Sequence, residues 1–298
     1  MRFPPIFLPG AAFVLALAAL PALADQRVTF PSLDEDLTRG AATAIDARLY
    51  RPEGPGPFPA IVGLHGCGGR DFRTRDAPHS TLRVWAERLL ALGYAVLLPE
   101  SFRPRGVMEV CTQDKPTVSP HRHRPRDAYG ALAWLRAQPF VQSDRIFLLG
   151  WSNGGSATLS TLRADSFADL RRRAGGDFRA AAAFYPGCAT HAKGKWATRT
   201  PLVILIGDAD DWTPAEPCRE LAARSRANGE PLELVLYPGA FHCFDAPDHN
   251  PVERADVPRA RSNDKGHVTI AADPAARADA FARVPRFFAG HGGIKPPE

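Results

Sequence analysis

From about residue 27 onward, short and almost wholly apolar runs alternate with longer amphipathic stretches, and this alternation narrows the possible folds more than any other feature. The apolar runs are PAIVGL (59–64), YAVLLPE (94–100), RIFLLG (145–150), FRAAAAFYPG (178–187), PLVILIGD (201–208) and LELVLYPG (232–239). Runs of this length without polar alternation suit strands covered on both faces. Between them, LRVWAERLLALG (82–93) sets apolar residues at helical spacing and ends in a glycine stop, and DAYGALAWLRAQ (127–138) is a second such stretch. Further helices are predicted near 215–227 and 274–289. Strands alternating with helices imply βαβ units, hence an α/β fold with a mostly parallel central sheet and helices on both faces. RVTF (27–30) and ARLYRP (47–52) read as an opening antiparallel pair. The polar, Pro/Asp-rich stretch 245–272 predicts a loop excursion near the ligand-binding edge of the sheet. No repeat, low-complexity tract or linker divides residues 25–298, so one domain is expected.

The first 24 residues stand apart. Arg2 precedes AAFVLALAAL and then PALA, an arrangement of basic region, short apolar region and A-x-A-like cleavage site. The apolar part is short for a bilayer span. A signal peptide over residues 1–24 is expected, with a mature chain that is secreted, in the periplasm, and has no stable membrane span. Five cysteines follow it: Cys67, Cys111, Cys188, Cys218 and Cys243. An oxidising compartment allows at most two bridges among five thiols. No C-x-x-C pair exists, which argues against zinc or thioredoxin-type chemistry, and spacing does not fix the pairing. The chain of 298 residues is 45% hydrophobic, enough for a sizeable core, and its net charge is +5. Its arginines are dispersed, with no basic stripe interleaved with aromatics, so nucleic acid is not an expected partner.

GWSNGG (150–155) directly follows the apolar run RIFLL. Glycines and a serine are poor strand residues, but Gly150-Trp151-Ser152-Asn153-Gly154 matches G-x-S-x-G, a sharp strand-to-helix corner that exposes the serine hydroxyl. The helix that follows turns its amide-rich N-terminus toward Ser152 and favours negative charge there. A serine nucleophile needs a base, and the base needs an orienting acid. On this architecture they follow in the order serine, acid, histidine. The run PLVILIG leads into DADDWTP, where Asp210 is the first choice of acid, with Asp211 and Asp208 as alternatives. The run LELVLYPG leads into AFHCFD and offers His242 as base, whereas His191, His249, His267 and His291 lack that placement. Backbone amides of Asn153 and of Cys67, in HGCGG (65–69), are the candidate oxyanion donors, with Gly68 the alternative to Cys67. Cys67 itself lacks an evident histidine partner as a nucleophile.

Other residues near the same edge are open to two readings. Arg103 and Arg105 could hold a substrate carboxylate through bidentate contacts or support their loop. Trp151 and Trp212 could line an apolar acyl pocket or simply pack. His121 and His123 in SPHRHRPRD have the spacing of a metal clip but no acids or cysteines beside them, and read as solvated loop. No cofactor and no metal is expected.

Taken together, LHGCGG, ALGYAVLLPESFRPRG, GWSNGG, IGDADDWTP and YPGAFHCFD resemble the dienelactone hydrolase family of α/β-hydrolases over roughly residues 40–290. The resemblance implies the α/β-hydrolase fold and a Ser152–His242–Asp210 triad. Dienelactone hydrolases proper carry a cysteine in the elbow; Ser152 here points to hydrolysis of carboxylic esters or lactones through an acyl-enzyme. A peptidase or amidase with the same triad, or a non-catalytic binding protein that keeps the fold, are the alternatives. The same comparison suggests the pairs Cys188–Cys218 and Cys67–Cys111, leaving Cys243 free.

Overall fold

A computed structural model describes residues 25–71, 80–247 and 250–296. The expected signal peptide, residues 1–24, lies outside the described residues, as does His249. In chain order the first elements are β1 (Asp25–Pro31), a single turn α1 (Glu35–Thr38), β2 (Ala44–Tyr50), β3 (Phe58–Leu64), α2 (Ser80–Ala91) and β4 (Ala95–Pro99). Next come α3 (His123–Arg136), β5 (Val141–Trp151), α4 (Asn153–Thr161), α5 (Ala168–Arg173), β6 (Ala181–Phe184) and α6 (Ala189–Ala192). The remainder is β7 (Leu202–Gly207), α7 (Glu216–Ala227), β8 (Leu232–Tyr237), β9 (Val252–Arg254), α8 (Pro258–Arg261), β10 (Val268–Ile270) and α9 (Pro274–Gly290).

Eight strands form one sheet in the order β1-β2-β4-β3-β5-β6-β7-β8. β1 pairs antiparallel with β2, and β2 antiparallel with β4; every later neighbour pair is parallel. Burial follows position in the sheet. All residues of β6 and β7 are buried, as double coverage by helices requires, while the edge strands β1 and β8 mix buried, half-buried and exposed positions. The apolar runs of the sequence thus occupy the centre, packed among Leu89, Leu132, Phe147, Phe184, Leu221 and Phe288.

In a parallel sheet the carboxyl ends of the strands open on one edge, where ligands bind. Here that edge carries the loop after β3 (65–71), the corner after β5, Tyr185 after β6, Asp210 after β7 and His242 after β8. The stretch 245–272, expected as a polar loop, instead contains α8 and a small hairpin of β9 with β10. Ile270 forms an isolated bridge with His242, and Val257, Ala260 and Val268 bury against Cys111. This excursion is therefore ordered by an apolar cluster of its own that its polar composition concealed.

Candidate active site

The corner between β5 and α4 explains the two flanking glycines. A Cβ at Gly150 would stand 2.3 Å from the Gly154 carbonyl oxygen, and one at Gly154 would stand 2.0 Å from that of Leu64. Only glycine lets strand, corner and helix approach so closely. Ser152 adopts φ 53° and ψ −113°, a strained conformation for a non-glycine residue, fixed by its N–H donating to Phe184 O at 2.9 Å. This strain turns the hydroxyl toward the histidine loop.

Ser152 Oγ lies 2.9 Å from His242 Nε2, and His242 Nδ1 lies 2.8 Å from Asp210 Oδ2. With Nδ1–H donating to the carboxylate, Nε2 is left to accept from the serine hydroxyl. Asp210 is held in turn: its Oδ1 accepts from the amides of Trp212 and Thr213, at 3.0 and 2.8 Å. The imidazole is buried between the rings of Tyr185 and Trp212, whose centroids lie 4.6 and 4.9 Å away. The other two aspartates have different partners. Asp208 accepts from the Gly239 amide at 2.6 Å and ties the loops after β7 and β8 together. Asp211 accepts from the Thr269 amide at 2.7 Å and from Lys265, anchoring the 245–272 excursion. Burial would raise the Asp211 carboxyl, but these hydrogen bonds outweigh it and leave it below the ordinary value.

A cavity of about 130 Å³ opens on Ser152 and His242. Its walls are mostly apolar: Leu82, Trp151, Tyr185, Trp212 and Ile270, with the Cys67–Cys111 disulfide as part of the lining. Arg254, paired with Asp256 and lying over the Trp212 ring, is the cation of the lining. Gly66 to Gly69 form one rim, and Asn153 starts α4 immediately after the serine. Both bridges suggested by the resemblance are closed, Cys67–Cys111 and Cys188–Cys218, and Cys243 is free. Cys243 lines the cavity, and desolvation pushes its thiol well above the ordinary cysteine value, so it stays protonated.

Of the two readings of Arg103 and Arg105, their contacts match loop support. Arg105 is held by Asp34 and Asp127 at 2.8 and 2.7 Å and donates to Ser101 O. Arg103 contacts Asp71. Neither lines the cavity. The loop after β4 closes into a tight turn over Arg103–Arg105 that directs both guanidiniums at carboxylates from other parts of the chain. His121 also departs from expectation. It is not a solvated loop residue: its ring meets that of His191, 5.4 Å away, and both share the Ser160 hydroxyl. No group of potential ligands able to hold a metal ion occurs among the described residues.

Several neighbours of the site escaped the sequence reading. Tyr185 donates to Asp245 Oδ1 at 2.7 Å, and Trp85 and Trp151 donate their indole N–H to Asp245 Oδ2, each at 2.8 Å. This buried carboxylate binds Trp151, the residue before Ser152, to the histidine loop. The only visible signal was an aspartate three residues after His242 in an apolar setting. His65 is equally hidden. Its Nε2 accepts from the Ser101 amide at 3.1 Å, so the ring proton sits on Nδ1 and is donated to Gly66 O at 2.7 Å. Burial, aided by the nearby charge of Arg124, holds its pKa well below the ordinary value and keeps the ring neutral.

A mostly parallel eight-stranded sheet with a serine on a strained β5–α4 corner, facing a histidine after β8, defines an α/β-hydrolase-fold protein. Comparison with known proteins narrows this. The chain belongs to the dienelactone hydrolase family, whose sequence profile matches residues 45–292, and is accordingly a hydrolase acting on ester bonds. Among curated proteins it is 22% identical over 214 residues to a Bradyrhizobium protein named "Probable 2-oxo-3-(5-oxofuran-2-ylidene)propanoate lactonase", covering 66% of this chain and 78% of the other. Among solved structures it superposes on a thermophilic esterase from Thermogutta terrifontis with propionate bound. There the TM-score is 0.61 at 18% identity, covering 85% of this chain and 92% of that one. It also superposes on a dienelactone hydrolase-like promiscuous phosphotriesterase from metagenomic libraries. The TM-score is again 0.61, at 20% identity, covering 90% and 99% of the two chains.

Proposed function

We propose that the protein hydrolyses small carboxylic esters or lactones by a Ser152–His242–Asp210 triad through an acyl-enzyme. The observation that carries this reading is the unbroken run from Asp210 Oδ2 through His242 to Ser152 Oγ, with links of 2.8 and 2.9 Å. His242 removes the hydroxyl proton as Ser152 Oγ bonds to the acyl carbon, then returns it to the leaving alkoxide. Water repeats the cycle to release the acid. The amides of Cys67 and Asn153 receive the oxyanion, and the N-terminus of α4 adds a favourable dipole. The cavity of about 130 Å³, walled by Trp151, Trp212 and Leu82, suits a short acyl chain or a single lactone ring.

In this reading residues 25–298 act as one exported domain, in the periplasm, after loss of residues 1–24. Two disulfides support that placement. The test is stopped-flow hydrolysis of p-nitrophenyl acetate, butyrate and octanoate by wild type and Ser152→Ala. A burst of one p-nitrophenol per chain, turnover favouring acetate and butyrate, and loss of both in the variant are expected. Turnover that survives Ser152→Ala contradicts the mechanism.

A further inference from the structure

Behind the candidate oxyanion loop lies a fully buried arginine at the start of α3. Arg124 Nη1 donates to His65 O and to the side-chain Oδ1 of Asn153, each at 2.7 Å. One nitrogen thus touches both segments that supply the proposed oxyanion amides. The ties extend further into the first segment. Arg124 fixes the His65–Gly66 peptide plane through its carbonyl, and His65 Nδ1–H fixes the next plane through Gly66 O. In a trans peptide the N–H points opposite to the C=O, so holding Gly66 O aims the Cys67 amide. On the other segment, the grip on the Asn153 side chain fixes the first residue of α4, whose own amide is the second donor.

The charge of Arg124 is unusual for a purely structural role. Its Nε and Nη2 have no hydrogen-bond partner among the described residues. No carboxylate pairs with it directly: Asp127 hydrogen-bonds Arg105 and Ser32, and Glu100 the amides of Arg70 and Phe102, so both attract Arg124 only across a distance. Its guanidinium carbon lies 5.4 Å from the centre of the Phe102 ring. The residue also sits in the first turn of α3, where the helix dipole disfavours a cation. Burial lowers its pKa only to about 10, so the charge persists at neutral pH. A buried cation without a directly paired carboxylate costs stability that an apolar residue of similar volume would not. Its sign is the one a developing oxyanion requires.

We infer that Arg124 is the positioning residue of the oxyanion site, holding both amide-bearing segments in register and placing beside them a positive charge that no carboxylate pairs directly. This rests on the serine-hydrolase reading above. Arg124 touches no reacting atom; it acts through His65 and Asn153.

The test compares wild type with Arg124→Met, Arg124→Lys and Asn153→Ala. For each, kcat and KM on p-nitrophenyl acetate, the Ki of phenylboronic acid (a tetrahedral adduct of the serine) and the thermal midpoint are measured. Folded Arg124→Met is expected to lose about 100-fold in kcat, the order of one oxyanion donor, with KM within threefold and boronate affinity falling in parallel. Arg124→Lys should recover at least tenfold of that loss. Folded Arg124→Met with kcat within threefold, or a loss confined to KM with boronate affinity intact, overturns the inference. If Arg124→Met does not fold, the other two variants decide. A tenfold or greater loss of kcat in Asn153→Ala, matched by weaker boronate binding, supports the inference; unchanged kcat in both overturns it. Wild type is assayed first: failure to turn over the ester sinks the hydrolase reading and this inference with it. An active wild type with unaffected variants sinks only the role of Arg124.

Discussion

Tyr185→Phe removes one oxygen atom from beneath the site and separates scaffold from chemistry. The phenol donates to Asp245 Oδ1 at 2.7 Å, and both residues are buried. Burial and the adjacent Asp245 charge push the Tyr185 hydroxyl well above its ordinary value, so it remains a donor at every working pH. A hydrogen bond to a charged acceptor contributes about 1.5–3 kcal/mol, and the substitution removes this one from Oδ1. A loss of about 2 kcal/mol corresponds to a fall of about 3–4 °C in thermal midpoint for a chain of this size. The ring that packs on His242 is retained, so kcat should stay within a few-fold. The deficit also depends on pH. Burial raises the Asp245 carboxyl above its ordinary value, and removing a donor to it raises it further. The variant's folded state then binds a proton more readily than wild type's, so its deficit is full where Asp245 is ionised and shrinks as pH falls through the raised pKa. Calorimetry at neutral and acid pH measures both parts. An unchanged midpoint at neutral pH would refute the buried bond; a 100-fold loss of kcat at unchanged midpoint would place the phenol in the chemistry instead.

Asp210→Asn should lower kcat by about 10³–10⁴-fold with little change in KM, because the amide no longer fixes the imidazole tautomer or stabilises its protonated form; steady-state kinetics on p-nitrophenyl acetate checks this. Cys111→Ser opens a loop closed over a sequence separation of 44 and should lower stability by about 4 kcal/mol on the chain-entropy estimate, read as a shift in urea midpoint. The same variant frees the rim that holds Cys67, so kcat should fall more than for Cys188→Ser, whose bridge does not line the cavity. Gly154→Ala drives a methyl group into backbone that cannot yield and should cost about 3 kcal/mol or more, with loss of turnover, seen by thermal melt and assay.

The strand framework was legible because its information is local. PAIVGL fell within β3, RIFLLG within β5 and PLVILIGD around β7, each identified by apolar runs that only a doubly covered strand can hide. The corner at Ser152 and the histidine after β8 were legible for a related reason, since chain order and strand ends fix where they stand. What escaped depends on partners far apart in sequence. Nothing near Arg105 announces Asp34 or Asp127, so a loop clamp and a ligand-binding arginine look alike. Asp211 reads as an alternative catalytic acid until Thr269 is brought to it across 58 residues. Arg124 sits among four other basic residues in HRHRPR, where composition suggests a wet surface, yet the fold buries it completely. The pair of β9 and β10 has only three residues per strand, too little pattern to register.

The central claim is that Ser152 is an activated nucleophile, and treatment with a small fluorophosphonate followed by peptide mass spectrometry tests it most directly. The account predicts one adduct per chain, on the peptide that contains GWSNGG and on Ser152 within it, formed at least 100-fold more slowly in His242→Ala. Folded wild-type protein that takes no label, or takes it on another residue, would contradict the account and reduce the corner after β5 to a tight turn.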